Sequence, residues 1–415
     1  MTRVLVIGGG IAGAVCVIAL QKAGFEPTLY EAFDRTADGI GNFVNIGPNG
    51  IDALDSIGLG HLVREKGFDT PAIAFYSDTG RALTGDVATD RLAHRGQIIQ
   101  TIRRSDLYVG LRDEAARRGI PIEFGKRIVD ASVDGDGVRA VFEDGTHAGG
   151  DLLVGADGLR SQVRRIIDPS APSPRYLGVL NAFGRADGLQ LEGPPGVIRM
   201  FFGKRSFFSY TKHPDGSLWW FANPPRAEEP DQELLRLRTA TWRGDLLRLF
   251  EDDRTPAAAI IGATRDLAPP SPTYDLPPVP RWHRDRMILI GDAAHAVSPT
   301  AGQGCAVAME DAVVLAKCLR DAPSHERGFV SYEAARRKRV EDIVAQGKYN
   351  NEGNIRRGPA GRLLRNFFIS RAFRGTGGKG DPTWMMSHHI DWDAKEPAVD
   401  GVAATGPGPG LRTQG

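Results

Sequence analysis

An α/β fold with an inserted mixed β-sheet and C-terminal helices is predicted by three stretches of the chain. The first is Val4-Leu5-Val6-Ile7, followed by Gly8-Gly9-Gly10-Ile11-Ala12-Gly13 and a helix-like run from Ala14 to Ala23. That order is strand, tight glycine turn, helix. The second is Arg286-Met287-Ile288-Leu289-Ile290, an apolar strand that ends in Gly291-Asp292-Ala293-Ala294-His295. A loop from Ala296 to Thr300 and Gly302-Gln303-Gly304 then lead into a helix, about Cys305 to Leu319. The third is 169–281, where prolines multiply and short aromatic strands replace the strand–helix alternation, as in a mixed or antiparallel sheet with one packed face. The first two have the same strand–turn–helix order, so the third reads as an insertion in one discontinuous domain.

Composition limits the classes open to the chain. Its 415 residues suffice for two or three domains or one composite one, and 41% hydrophobic with 25% charged residues is a soluble globular balance. A formal net charge of +1 gives no case for nucleic acid or an acidic membrane surface. No apolar run is long enough to span a bilayer, and a strand follows directly on Arg3, so neither membrane insertion nor a signal peptide is expected; the expected location is cytoplasmic. Cys16, Cys305 and Cys318 lie far apart without a Cys-x-x-Cys pair, which supports neither a disulfide framework nor a thiol redox centre. No internal repeat is present.

In order along the chain, Pro27-Thr28-Leu29-Tyr30 is a second strand ending at Glu31, and 32–45 is a loop. Apolar spacing at Ile51, Leu54 and Ile57 predicts a helix over 49–59, stopped by Gly58. Residues 72–76 and 81–87 read as short strands around an Asp78–Gly80 turn, and Ile98–Ile102 as a strand entering a helix with Leu107, Leu111 and Ala115 on one face. Short β elements fill 121–154, with Asp134-Gly135 and Asp144-Gly145 as turns, and the last runs into Gly155-Ala156-Asp157-Gly158. Within the insertion, strands are expected at 177–183, 197–202, 207–211 and 218–221, with a helix over 232–250. Helices over 329–346 and 361–373 follow, and the Gly/Pro-dense segment from Gly375 is expected to be a flexible tail. The domain division is 1–71 with 97–168 and 282–325, then 72–96 with 169–281, then 326–374, then 375–415. Trp384 and Trp392 are candidates to pin the tail, and His388, His389 and Asp391 lack the further ligands a metal would need.

The glycine turn carries the first chemical reading. Gly8 allows the tight turn, Gly10 lets phosphates approach the backbone, and Gly13 lets helix and strand pack closely. The backbone N–H groups and the positive helix N-terminus suit a pyrophosphate, and Glu31 stands where an acid holds ribose hydroxyls. A glycine turn alone also closes ordinary α/β units; the strand, the helix and the terminal acid together favour a dinucleotide site of Rossmann type.

The glycine turn with Glu31, then Ala156-Asp157-Gly158, then Gly291-Asp292 leading to Gly302-Gln303-Gly304 stand in one order that resembles the single-component FAD-dependent aromatic monooxygenases, the family of 4-hydroxybenzoate and salicylate hydroxylases and tetracycline-inactivating monooxygenases. The resemblance covers roughly 1–345 and implies a Rossmann-type FAD-binding domain. It implies cofactor contacts at Gly8, Gly10, Ala12, Gly13 and Glu31, at Arg104 with Arg103 as its rival, and at Asp157. It further implies Asp292 at the ribityl or pyrophosphate part of FAD, and Pro299, Gly302, Gln303 and Gly304 beside the flavin ring. His295, Glu310 and Asp311 read as structural, and Cys305 as a small packed side chain rather than a flavin link or reactive thiol.

By the same resemblance, NAD(P)H reduces the flavin as a transient co-substrate, O2 adds to it, and the hydroperoxide passes one oxygen to an aromatic or polycyclic substrate. No second G-x-G-x-x-G that follows an apolar strand and opens a helix is present, in keeping with a nicotinamide that docks only in passing. The insertion should supply the substrate pocket, with Phe183, Phe201, Phe208, Tyr210, Trp220 and Asn223 as candidates and Arg185 as an anion clamp. Strand aromatics are more often core than ligand-facing, and alternation lets only half of each run face a ligand. Epoxidation and Baeyer–Villiger oxygenation use the same flavin chemistry and stay open, as does a non-catalytic FAD-fold carrier. A flavin halogenase would need Gly-Trp-x-Trp-x-Ile-Pro, which Ser217-Leu218-Trp219-Trp220-Phe221 does not match.

Overall fold

The computed structural model describes residues 1–35, 42–90, 96–231, 235, 239–354, 358–372 and 383–395. Val4 to Ile7 are all buried, so both faces of β1 (Arg3–Ile7) are covered and its side chains read as one apolar run rather than an alternation. It pairs in parallel with β2 (Glu26–Glu31) and β12 (Leu152–Gly155). β8 (Ile122–Phe124) extends the sheet beyond β2, and β19 (Met287–Leu289) beyond β12, both parallel. β18 (His283–Arg284) closes the edge antiparallel. The turns that follow β1, β2, β12 and β19 therefore leave the same edge of four adjacent strands, where open α/β sheets bind ligands. α1 (Ile11–Lys22) packs on α9 (Gly304–Asp321), the two helices that the sequence marked as cofactor-facing.

The inserted layer is a seven-stranded mixed sheet. Its order is β17 (Ser271–Asp275), β13 (Arg175–Ala186), β16 (Leu218–Asn223), β15 (Phe207–Lys212), β14 (Ile198–Phe202), β5 (Ala72–Ser77) and β6 (Val87–Ala88). Ala182, Phe201, Phe208, Tyr210, Leu218, Trp220 and Ala222 share one face and form a core with Trp242, Leu246 and Phe250 of α6 (Thr239–Phe250) and Ile260 and Ile261 of α7 (Ala257–Ala263). Two three-stranded antiparallel sheets complete the body: β9 (Ile128–Asp134), β10 (Gly137–Phe142) and β11 (His147–Gly150), and β3 (Phe43–Ile46), β7 (Ile99–Arg103) and β4 (Phe68–Thr70).

Several elements differ from the sequence expectation. The helix expected over 49–59 is α2 (Pro48–Ser56), stopped before Gly58, at φ +77°, and a further helix that was not expected, α3 (Gly60–Lys66), follows, too short for an apolar repeat to show. The strand expected over 81–87 is reduced to a bridge between Tyr76 and Ala82 and to β6. β11 was not expected, because His-Ala-Gly-Gly has little strand propensity; the Gly145 turn folds it onto β10. Of the helix over 232–250, the part described as α6 starts at Thr239, and 232–234 and 236–238 lie outside the described residues. α4 (Arg104–Arg117), α5 (Gln162–Ile167), α8 (Asp292–His295), α10 (His325–Asn354) and α11 (Pro359–Ala372) complete the main run of helices.

The flexible-tail expectation is corrected over 383–395. α12 (Thr383–Met386) and the residues after it dock on the body, and Met385, Ile390 and Trp392 join the main core. Asp52 accepts from the Ile390 N–H at 2.8 Å and pairs with His389 Nδ1 at 2.8 Å; Arg320 donates to the Trp392 carbonyl at 2.7 Å, and Arg339 to that of Met385 at 2.6 Å. Glycine and proline density signals chain flexibility, but a short Trp, Met and Ile run within it has enough apolar surface to be held. Trp392 is the anchor; Trp384 is 42% exposed. No group of three metal-ligating side chains occurs among the described residues.

Glu310 and Asp311, consecutive on α9, are fully buried and face Arg336 of α10. The Arg336 guanidinium lies 2.6 Å from Glu310 and 2.8 Å from Asp311, and Arg339 adds a 2.8 Å contact to Glu310. Burial alone would raise both carboxyl pKa values. Arg336 and Arg339 outweigh it and hold Glu310 at about 2, and His295 with Arg336 holds Asp311 well below the usual carboxylate range. A carboxyl so depressed contributes stability that is present above its ordinary 4.5 and is lost as pH falls toward about 2. Arg336→Gln should destabilise the fold by about 3–5 kcal/mol in urea unfolding, since it strands buried charge, and acid titration of the wild type should show unfolding between those two pH values. Deleting 383–415 should cost at least ~3 kcal/mol by the same measurement, from three buried apolar side chains.

Candidate functional site

The turn after β1 is shaped by its neighbours. Gly8 has φ +106°, its N–H donates to the Tyr30 carbonyl at 2.8 Å, and a Cβ there would stand 2.4 Å from the Ala156 carbonyl oxygen. A Cβ on Gly13 would stand 1.9 Å from the Gly8 oxygen. These two glycines are demanded by the packing of strand, turn and helix. Gly10 is different: a Cβ there would meet nothing within 4 Å, so its missing side chain keeps open a space in front of the α1 N-terminus. Ala12 lies beside Gly291, whose Cβ would approach the Ala12 methyl to 3.1 Å. Glu31 is buried; its Oε2 accepts from the Gly9 N–H at 2.6 Å and its Oε1 from Phe33 N–H at 2.9 Å, which braces the turn and leaves further lone pairs.

The turn after β19 enters the same crevice. Gly291 takes φ +58°, and its N–H donates to Asp311 at 3.0 Å. Asp292 starts α8 with its side chain reachable by solvent yet ringed by protein. This enclosure raises its carboxyl pKa, against the pull of His295 and Arg104. Arg104, the first residue of α4, thus stands within electrostatic reach of Asp292 and of Cys305. Arg103 turns instead toward the inserted sheet, with its guanidinium 5.6 Å from the Trp219 ring centroid. Burial pushes the Cys305 thiol up to about 12, so it is held as a neutral thiol. His295 is buried, 2.5 Å from Asp311 and tilted against Trp282, a structural placement.

Pro299 opens a short 3-10 turn, Gly302 takes φ +63°, and Gln303 caps α9, whose first N–H groups have no acceptor within the helix. Cβ atoms at Gly302 and Gly304 would meet nothing within 4 Å. Asn49, at the start of α2, joins the two halves: its Nδ2 donates to Gln303 Oε1 at 3.0 Å and to Glu310 Oε1 at 2.6 Å. Gln303 Nε2 is buried with no hydrogen-bond partner among the described residues. Asp157 looks elsewhere. Its carboxylate accepts from Ser161 Oγ at 2.5 Å and from the N–H groups of Gln162 and Val163 at 2.7 and 3.0 Å, which caps α5.

The inserted sheet sorts the substrate candidates by strand parity. Phe201, Phe208, Tyr210 and Trp220 point to the back, into the core under α6 and α7, and Trp220 Nε1 donates to Thr264 there. All four are buried in that back core, and Phe201 and Tyr210 also line a cavity of about 420 Å³ on that side with Tyr76, Leu191 and Arg199. Phe183, Arg185 and Asn223 lie on the front, in register with Phe221, Trp219 and Phe207. Arg185 is exposed at the edge and paired with Asp187 and Asp215, so its charge is already matched. Phe43 of β3 meets Trp219 and Phe221 at 5.7 and 6.1 Å between ring centroids. Four residues on, Gly47 lies against Asn49 and Gln303. β3 thereby links the front face of the inserted sheet to the Gln303 loop. Phe43, Asn49, Trp219 and Phe221 were not foreseen. Parity from any one back-facing residue would have found the last two, whereas Asn49 shows only as a polar residue at a helix start.

An open space at a helix N-terminus, a braced acid at the second strand end, and an open glycine loop at a second helix start with an unpaired amide fit a long dinucleotide with a polar ring edge. The fold and this crevice define a dinucleotide-binding protein of Rossmann type. Comparison narrows the class: the profile of the FAD binding domain family matches residues 1–347, and the chain belongs to that family of FAD-dependent oxidoreductases, the aromatic and natural-product monooxygenases. It is 30% identical over 356 residues to the FAD-dependent urate hydroxylase of Klebsiella pneumoniae, covering 83% of this chain and 88% of that protein. Aurachin C monooxygenase/isomerase of Stigmatella aurantiaca is 31% identical over 361 residues, with 83% and 88% covered. The structure of Klebsiella pneumoniae HpxO complexed with FAD and uric acid is similar at 28% identity and a TM-score of 0.79, over 93% of this chain and 96% of that one. FAD is accordingly the cofactor.

Gly10→Val fills the space before α1 without straining the backbone, so it should fold with an unchanged circular dichroism spectrum and purify with most of its flavin lost. Asp292→Ala should lower flavin content too, while Gly8→Ala should fail in folding, its Cβ standing against backbone. Flavin absorbance per protein after gel filtration checks all three.

Proposed function

We propose that the protein is an FAD-dependent, NAD(P)H-using monooxygenase that hydroxylates an aromatic or polycyclic, natural-product-like substrate with O2. The observation that carries this reading is the aromatic front of the inserted sheet, Phe183, Trp219 and Phe221 with Phe43 against it, which β3 links to the Gln303 loop. Bound FAD, reduced by NAD(P)H, would activate O2 and supply one oxygen atom.

The residues proposed to hold it are Gly10 and the N–H groups of Ile11, Ala12 and Gly13 at the pyrophosphate, with Glu31 at the ribose. Arg104 and Asp292 lie along the chain of the cofactor, and Pro299, Gly302, Gln303 and Gly304 at the ring. The N-terminal N–H groups of α9 would stabilise the negative charge that the ring system takes on when reduced. The aromatic wall orients a flat substrate and excludes water. Asn223 donates to Asn181 at 3.0 Å on the same face and places amide groups where a ring oxygen or nitrogen can be read.

The test is NAD(P)H oxidation and peroxide release measured against phenols, polycyclic aromatics and uric acid. A substrate should speed oxidation, suppress peroxide and return a product with one added oxygen. Mass spectrometry and product chemistry separate a phenol from an epoxide or lactone. Bound flavin that neither nicotinamide reduces would overturn the proposal. With a substrate in hand, Phe221→Ala should raise KM and peroxide release with little change in stability, whereas Phe208→Ala should instead destabilise the fold by about 3–5 kcal/mol.

A further inference from the structure

α11 carries a broad apolar face that no described residue covers. Leu363, Leu364, Phe367 and Phe368 are 72%, 46%, 61% and 55% exposed. Their spacing of one, three and four residues places them on one side of the helix, and Arg371 follows one turn on along the same side. The opposite side fastens the helix down. Arg365 is buried, donates to the Phe202 carbonyl at 2.9 Å and lies 5.1 Å from the Phe202 ring centroid, and Arg362 stands 3.8 Å from Asp78. The apolar face is held outward by these attachments.

Charge indicates what would cover it. Besides Arg362 and Arg365, the chain from Gly353 to Gly380 contains Arg356, Arg357, Arg371, Arg374 and Lys379, and no Asp or Glu. The near-neutral total of the whole chain hides this local basic segment. We propose that α11 docks the protein on an anionic lipid surface, with Leu363, Leu364, Phe367 and Phe368 at the boundary of headgroups and acyl chains and Arg371 and the flanking basic sequence against the lipid charge. A helix with this division of apolar and basic residues lies in the plane of the interface, and a few buried apolar side chains bind firmly only with help from anionic lipid. A symmetric contact with a second copy would bring two such basic segments together and repel. Among the described residues no helix is long and apolar enough to cross a membrane, so the contact is peripheral. Phe202 ends β14 of the inserted sheet, so docking brings that sheet to the bilayer. If the proposed function holds, substrates that partition into lipid are the class this geometry serves; the docking itself does not depend on that reading.

The experiment is co-sedimentation of the flavin-loaded, full-length protein with vesicles of phosphatidylcholine alone or with about one-third phosphatidylserine. Binding at least about tenfold tighter to the anionic vesicles, weakened by high salt, is expected. Phe367→Ser with Phe368→Ser should abolish it while flavin content and NAD(P)H oxidation in solution are unchanged. Arg371→Glu, a single exposed substitution, should weaken it if the double variant does not fold. No sedimentation with either vesicle would overturn the proposal, as would undiminished binding by both variants. A concentration-dependent dimer of the wild type that Phe367→Ser with Phe368→Ser dissolves would assign the face to a second copy instead.

Discussion

Two consecutive carboxylates on one turn of α9 hold both ends of the loop that borders the crevice. Asp311 accepts from the Gly291 N–H and from His295, and so fixes where the chain leaves β19. Glu310 accepts from Asn49, which in turn donates to Gln303, and so fixes where the chain re-enters α9. Both depend on Arg336, because two buried anions side by side would otherwise repel and take up protons. A buried ion cluster of this kind gains little stability over apolar packing. Its use here is positional, since it fixes the exit from β19 and the entry to α9 with hydrogen bonds of definite direction.

The cofactor half of the molecule was legible in the sequence because its chemistry is done by backbone. Gly8 and Gly13 are required by contacts under 2.5 Å, and Gly10 by the space it leaves, so each position can be read from its residue type alone. Asp157 shows the limit of that reading: an aspartate at a strand end does not reveal that it also caps the next helix, as it does at α5. The substrate half was legible only to the level of the sheet. A run such as Phe207-Phe208-Ser209-Tyr210 is aromatic on both faces, so composition does not say which face is core. That is decided by α6 and α7, whose apolar side chains cover Phe208, Tyr210 and Trp220. The docked segment 383–395 was hidden for a related reason, since its few apolar residues sit in a stretch dominated by glycine, proline and charge.

Among the described residues, the small sheet of β3, β7 and β4 packs on the inserted sheet at one point. Phe43 reaches Trp219 and Phe221 from one strand, Arg103 reaches Trp219 from its partner, and Phe68 of β4 reaches Trp219 from the other side. Trp219 is thus the residue on which three strands of the small sheet converge. Its neighbour Trp220 belongs wholly to the other core, so adjacent residues of one strand serve two different parts of the molecule.

The pairing of β12 with β19 sets Leu153 against Met287, across the whole inserted sheet in the chain. Contacts of such long sequence separation form late and slowly, because the entropy of closing the intervening chain is spent before they return anything. During synthesis β1, β2 and β12 emerge first, with one edge of a parallel sheet bare until residue 289 has left the ribosome. The insertion must therefore fold, at least as a hairpin array, while the sheet that will carry it still waits for its last parallel strand. Asp292 and the Gln303 loop are placed only at that final step, so if they hold the flavin as proposed, cofactor capture is coupled to completion of the fold. Flavin supply during expression then becomes a determinant of how much of this chain reaches its native state.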